Sequence, residues 1–387
     1  MGAIRLFLAI AVLQSHIRAH FLAPAGLSVM GNKLTLGVNG GYAVVFFFVV
    51  SGFLISFVLE QKYDRPDGVP EFYRARALRI YPLWWTLYLL VPFLTDASLW
   101  NFVTHHHVYD LATGFFIFGS DLLLSFWTYP TNYTAPMPHG LELGWTLASE
   151  ITFYLIAPFV FRSKFLPLAI FAASLLLRVA IDAIIPADQQ QHGEWEAWCY
   201  YFLPSTIMFF MAGHLARVIY RSFRLPIKWA WVTLASAAIP LLIQDARFGF
   251  ENVYLYLAIV LFALSLPAIF AATKDSKICN FLGDLTYPLY LSHGVLIVLM
   301  ESRGSFLYVL GKRVRAIDIA WAPGHHHAWI RTVCISLSIW IIAIAVAAGV
   351  HFLLEKPAAA GVRFLFSLFD RKRPVQTVPV GGSAAAS

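Results

Sequence analysis

Arg5 and His16 interrupt an otherwise apolar N-terminal stretch. Their separation is close to three helical turns, so on a helix both side chains share one face, about 16 Å apart along the axis. Arg76 and Arg79 occur in Phe72-Tyr-Arg-Ala-Arg-Ala-Leu-Arg-Ile-Tyr-Pro82. Their i,i+3 spacing puts two guanidinium groups on one face, and planar guanidinium forks suit phosphate. Glu150 sits in the apolar run Trp145 to Tyr154, and His293 in the run Asp284 to Gly294. A histidine that titrates near neutrality can take a proton from a hydroxyl, and a carboxylate can orient it. Each residue also has a plainer role. Arg5 could reach to lipid phosphates, and the arginine pair could be an ordinary cytoplasmic anchor. The two histidines could be hydrogen-bonded interior groups, and Glu150 could belong to an ion pair that only fixes packing.

The elements that must hold these residues are set by composition. Of 387 residues, 59% are apolar and 13% charged, against about 25% charged in a soluble domain. Several apolar stretches reach the roughly 20 residues that cross a bilayer as a helix. The expected fold is an all-α membrane protein of about ten transmembrane helices. The spans fall near 3–22, 39–61, 80–95, 144–161, 165–185, 200–221, 229–245, 253–273, 279–300 and 330–353. Lys62, Arg65, Arg74, Arg76 and Arg79 follow the second span, which places its end and both termini in the cytoplasm. Residues 111–127 cannot cross without moving every later basic loop outside, so they are read as re-entrant or interfacial. Arg303, Lys312, Arg313 and Arg315 fall outside on this scheme, against the charge rule. The chain divides into a membrane domain, 1–357, and a cytoplasmic tail, 358–387, disordered at its Gly/Ser/Ala-rich end. The first stretch shows no cleavage site and reads as a retained span.

Counted along these spans, His16, Glu150 and His293 fall at a similar level in the outer half of the membrane. The arginine pair lies at the opposite face. Ionisable groups at such depth face a bundle interior and mark function. Chemistry near the outer side and a phosphate-type site inside suggest a reaction that crosses the membrane. A proton-coupled transporter or flippase, with His16 and Glu150 as a proton relay, would use the same inventory, and the pattern does not separate the two. No internal repeat of the kind many transporters carry is visible.

The ordered motifs resemble those of the acyltransferase-3 family of integral membrane acyltransferases. Arg5 and His16 match its Arg-x10-His signature. Phe46-Phe-Phe-Val-Val-Ser51-Gly52-Phe-Leu-Ile55 is similar to its phenylalanine-rich span, and Arg76-Ala-Leu-Arg79-Ile-Tyr-Pro82 is a close match to a third element. Trp145 to Tyr154 follows the family pattern with Thr146 in place of serine. Tyr287-Pro-Leu-Tyr290-Leu-Ser-His293 and Glu355-Lys-Pro357 complete the series. The resemblance implies transfer of an acyl group, acetyl first among them, from cytoplasmic acyl-CoA to a hydroxyl of a glycan or lipid-linked sugar. It makes His16 the catalytic histidine, supported by Arg5, Glu150 and His293. Arg76 and Arg79, with Ser51 and Gly52, become the acyl-CoA site. His293, the Ser51 hydroxyl and backbone N–H groups near Gly52 are candidate oxyanion donors. The chain reads as a minimal member without an extracytoplasmic hydrolase-like domain, in a bacterial inner membrane.

Other features point to less. His105-His106-His107 and His325-His326-His327 have no zinc-type spacing, and the three cysteines show none either, so no metal is expected. Gly40-Gly41 lacks the Gly-Lys-Ser/Thr of a phosphate loop. Trp321 to Trp329 reads as an interfacial stretch. The net charge of +7 reflects cytoplasmic loops, not nucleic-acid binding.

Overall fold

The computed structural model describes residues 1–22, 40–95, 103–104, 108–131, 138, 140–185, 197–242, 253–317 and 326–370. Among them there is no strand. Helix α1 (Gly2–Ile17) continues as a π-helical turn, Arg18–Leu22. Then come α2 (Gly40–Lys62), α3 (Gly68–Thr95), α4 (Val108–Phe116), α5 (Ser120–Thr131), α6 (Gly144–Val160) and α7 (Leu166–Ile184). A π-turn, Ala197–Tyr201, precedes α8 (Leu203–Ser222), followed by α9 (Ile227–Leu242), α10 (Val253–Thr273), α11 (Lys277–Glu301) and α12 (Tyr308–Arg315). The last helices are α13 (His326–Val350), a π-turn His351–Glu355, and α14 (Lys356–Asp370). The triplet His105–His107, His325, the first part of the stretch Trp321 to Trp329 (321–325) and the chain end from 371 lie outside the described residues.

Seven described helical stretches are long and apolar enough to cross a membrane: Gly2–Leu22, Gly40–Lys62, Gly68–Thr95, Leu166–Ile184, Leu255–Thr273, Lys277–Glu301 and Ile330–Phe366. The other three expected spans correspond to shorter or more polar helices. Helices α6 and α9 have 17 and 16 residues, and α8 carries Pro204, His214 and Arg217. Large apolar side chains stand outward along the surface of α7, with Leu176 68% and Ile184 76% exposed. Such a face has a stable environment only in lipid or against a partner.

Helix α3 starts twelve residues before the span expected at 80, and carries Arg74, Arg76 and Arg79 inside it. Alanine, leucine and arginine are good helix formers, so the basic stretch continues the helix rather than ending it. Pro82 sits within the helix, as membrane helices tolerate when neighbours satisfy the freed backbone.

The segment expected to be re-entrant is a broken helix. The chain leaves the helical region at Ile117 (φ 64°) and Gly119 (φ 82°), between α4 and α5. At 9 and 12 residues, each piece is about 14–18 Å long, well short of the hydrocarbon core. The last carbonyls of α4 have no partner within the helix, and α3 supplies the donors. Tyr81 donates to Phe116 O at 2.9 Å, Trp84 to Gly114 O at 3.1 Å, Trp85 to Phe115 O at 3.1 Å and Tyr88 to Leu111 O at 3.1 Å. Three aromatic side chains on one helix therefore satisfy the C-terminal turn of another, and Tyr88 adds a bond one turn further back. Replacing Trp84 and Trp85 together with phenylalanine keeps most ring bulk and removes two donors. About 1–3 kcal/mol is expected for each carbonyl left unpaired, read as a lower unfolding temperature of the detergent-solubilised protein.

Helices α2 and α11 organise the interior. Helix α2 packs on α1, α6, α8 and α10; α11 packs on α1, α3, α12 and α13. Two close approaches fix these contacts. A Cβ on Gly2 would overlap the Cys279 carbonyl of α11, and one on Gly52 would overlap the Phe210 carbonyl of α8. Such crossings need small residues where backbones meet. The part of the expected tail that is described, α14, packs on α3, where the Arg74 guanidinium lies 4.9 Å from the centre of the Phe366 ring.

Candidate active site

Four helices enclose a cleft that opens to the protein surface. Helix α2 contributes Val44 to Ile55 along its wall, eleven residues or about 16 Å. Helix α6 contributes Thr146, Leu147, Glu150 and Tyr154; α11 contributes Thr286, Tyr287 and Tyr290; α3 contributes Arg76, Arg79 and Ile80. Arg5 of α1 joins the arginine end.

At that end the structure brings together Arg5, Arg76, Arg79, Ser51 and Glu150, five of the eight residues singled out in the sequence. Ser51 Oγ donates to one Glu150 oxygen, and Tyr154 OH donates to the other at 3.1 Å. The carboxylate thus balances part of the charge of three guanidinium groups on facing helices. The Arg76 Nε is buried without a hydrogen-bond partner, a donor placed where an anionic ligand could satisfy it. A second polar recess adjoins the cleft through Arg5, Leu54, Arg79 and Tyr287.

The histidines form a separate group beyond the other end. The ring centres of His16 and His293 are 5.4 Å apart, and those of His16 and His20 are 6.3 Å apart. His20 Nδ1 is 3.0 Å from Glu301 Oε2, and Arg315 donates to Glu301 Oε1 at 2.6 Å while lying 4.6 Å from the Phe21 ring centre. One of the basic residues expected on the outer side, Arg315, is therefore a paired charge. None of the three histidines lines the cleft.

Tyr290 connects the two groups. It lines the cleft, and its ring centre is 5.9 Å from that of His293, one helical turn further along α11. Its hydroxyl is 2.9 Å from Thr146 Oγ1. Thr146 already donates to Leu143 O at 2.9 Å, so Tyr290 is the donor in that pair.

This pairing corrects the expected depths. Thr146 is level with Tyr290; Glu150 lies one turn to the arginine side of it, and His293 one turn to the other. Glu150 and His293 are thus about 10 Å apart in height, not level. The register between helices is set by side-chain contacts, which counting from span edges does not capture.

The expected oxyanion donors are also rearranged. His293 Nδ1 is 3.0 Å from the Leu289 carbonyl, which accepts only from an N–H. A neutral His293 then has a lone pair on Nε2, which is buried without a partner. It accepts and does not donate. The Ser51 hydroxyl is committed to Glu150, and Gly52 faces α8 instead of the cleft. Sequence reasoning passed over Tyr154, Tyr290, His20 and Glu301. His20 had a signal, because it follows His16 by four residues; Tyr154 and Tyr290 stood inside quoted motifs as ordinary aromatic residues. Among the described residues no group of three or more His, Cys, Asp or Glu side chains could hold a metal ion.

Comparison with known proteins finds a family and a relative that this chain is similar to. Residues 1–354 match the family model described as an acyltransferase domain. The chain is 24% identical over 420 residues to "Acyltransferase MdmB" of Streptomyces mycarofaciens, covering 98% of this chain and 94% of that protein. No solved structure matches.

Proposed function

From the chain's membership of the acyltransferase-3 family of integral membrane acyltransferases, we propose that it moves an acyl group from cytoplasmic acyl-CoA to a hydroxyl of a glycan or glycosylated acceptor. Acetyl is the group proposed. Arg76 and Arg79, aided by Arg5, hold the phosphates. The pantetheine arm lies along the cleft beside Ser51, and the thioester is carried toward Tyr290. The reading rests on one observation: the arginines stand at one end of a cleft about 16 Å long, and the His16–His293 pair lies just past the other.

In the proposed reaction His16 takes the proton of the acceptor hydroxyl as its oxygen attacks the thioester carbonyl. The new C–O bond forms, the C–S bond breaks, and the proton passes to the departing thiolate. His293 Nε2 is free beside the His16 ring, and in the working complex it would accept the His16 N–H, so that the other ring nitrogen of His16 serves as the base. Glu150 keeps Ser51, Tyr154 and the arginines in place. In this reading α6, α8 and α9 also cross the bilayer, giving ten spans with both termini in the cytoplasm of a bacterial inner membrane. The transporter reading gains no support from the family match.

The test is direct. The full-length protein, purified in detergent, is titrated with acetyl-CoA and then supplied with a panel of glycans while free thiol is followed. Saturable binding with acceptor-dependent thiol release is expected. Absence of binding by both acetyl-CoA and CoA would remove the proposal.

A further inference from the structure

The cleft ends before it reaches the histidines. Phe47 of α2 and Tyr290 of α11, both lining the cleft, meet edge to face with ring centres 6.0 Å apart at 72°. Tyr290 is held by its hydrogen bond to Thr146, while Phe47 lies against both hydrophobic clusters of the interior. On the donor route proposed above, an acyl group carried from the arginine end toward His16 passes these two rings, which both line the cleft. Two rings in contact at this distance leave no room for an alkyl chain without moving one of them.

We propose that Phe47 and Tyr290 form an acyl-size filter between the donor cleft and the histidine group, and that they restrict the enzyme to short acyl groups. The inference rests on the acyl-CoA reading above. The physical basis is a comparison of two costs. Burying a methylene in an open apolar channel strengthens binding by about fourfold. Where rings already fill that channel, each added methylene must displace packed atoms, and overpacking offsets the gain. A chain that fits only by pushing Phe47 aside gains nothing from its length. Val44 and Leu147, which also line the cleft, are apolar, so space opened by a smaller residue at position 47 would have apolar walls.

Binding of CoA and of acyl-CoA thioesters with two, four and eight carbons separates the possibilities. It is measured on the detergent-purified full-length wild type and on Phe47→Ala. Each affinity is expressed relative to CoA on the same protein, which removes differences in the folded fraction. The wild type is expected to bind the eight-carbon donor no more tightly than acetyl-CoA. The alanine variant is expected to gain affinity with length, by up to about fourfold per methylene. Phe47→Leu, a milder change, should fall between them and serves if the alanine variant does not fold. A wild type whose affinity climbs with chain length would overturn the filter. So would identical length profiles in wild type and variants. If the wild type binds neither CoA nor any acyl-CoA, the donor reading fails and takes the filter with it.

Discussion

Replacing His16 with alanine is expected to lower acceptor-dependent thiol release by about 10²–10⁴-fold, the range for losing a positioned general base. Donor affinity should stay within twofold of wild type, because His16 does not line the cleft that holds the arginines. The stability cost should be small. His16 is only half-buried, and its removal empties one position beside His20 and His293 without stranding a charge. The measurement pairs a thiol assay with acetyl-CoA titration on the same preparation. Normal turnover in a folded His16→Ala protein would rule out the assigned base. Loss of binding together with turnover would instead place His16 in the donor site, against the geometry found here.

The double substitution Arg76→Ala with Arg79→Ala should have the opposite profile. Hydrogen bonds to charged groups contribute about 1.5–3 kcal/mol each, roughly tenfold to a hundredfold in affinity per arginine. The buried Nε of Arg76 has no partner within the protein, so that donor is free for a ligand, and what the ligand-free protein loses is the contact of the guanidinium with the Phe72 ring and with the Glu150 charge. Binding of acetyl-CoA is therefore expected to weaken by about 10²-fold or more, while the unfolding temperature moves far less. Glu150 is the internal control. It keeps its hydrogen bonds from Ser51 and Tyr154 in the double variant, although it loses two of its three neighbouring cations. Unchanged affinity for both CoA and acetyl-CoA would assign these arginines to anchoring alone.

Both outcomes separate a donor end from a chemical end, a division only partly visible in the sequence. Composition and apolar run length were enough to show a helical membrane protein, because no soluble core can hide so much apolar surface. The Arg5–His16 spacing was legible for a similar reason: on a helix, residue separation converts directly into height and face. The break between α4 and α5 falls inside the segment read as re-entrant or interfacial, where Gly114, Gly119 and Ser120 interrupt the apolar run.

What lies between helices was not legible. Glu150 seemed level with the two histidines, yet the Thr146–Tyr290 contact sets α6 against α11 so that Glu150 belongs to the arginines. Helix α3 begins well before the span expected at 80, because arginines that mark a membrane edge are also good helix formers. The tautomer of His293 depends on which carbonyl its ring reaches, and Gly52 faces α8 because a backbone crossing there excludes a Cβ. The sequence by itself determined which groups are present and how high each stands on its own helix. Only the tertiary structure decided which of them meet, because the register of one helix against another is settled by side-chain contacts between residues far apart in the chain.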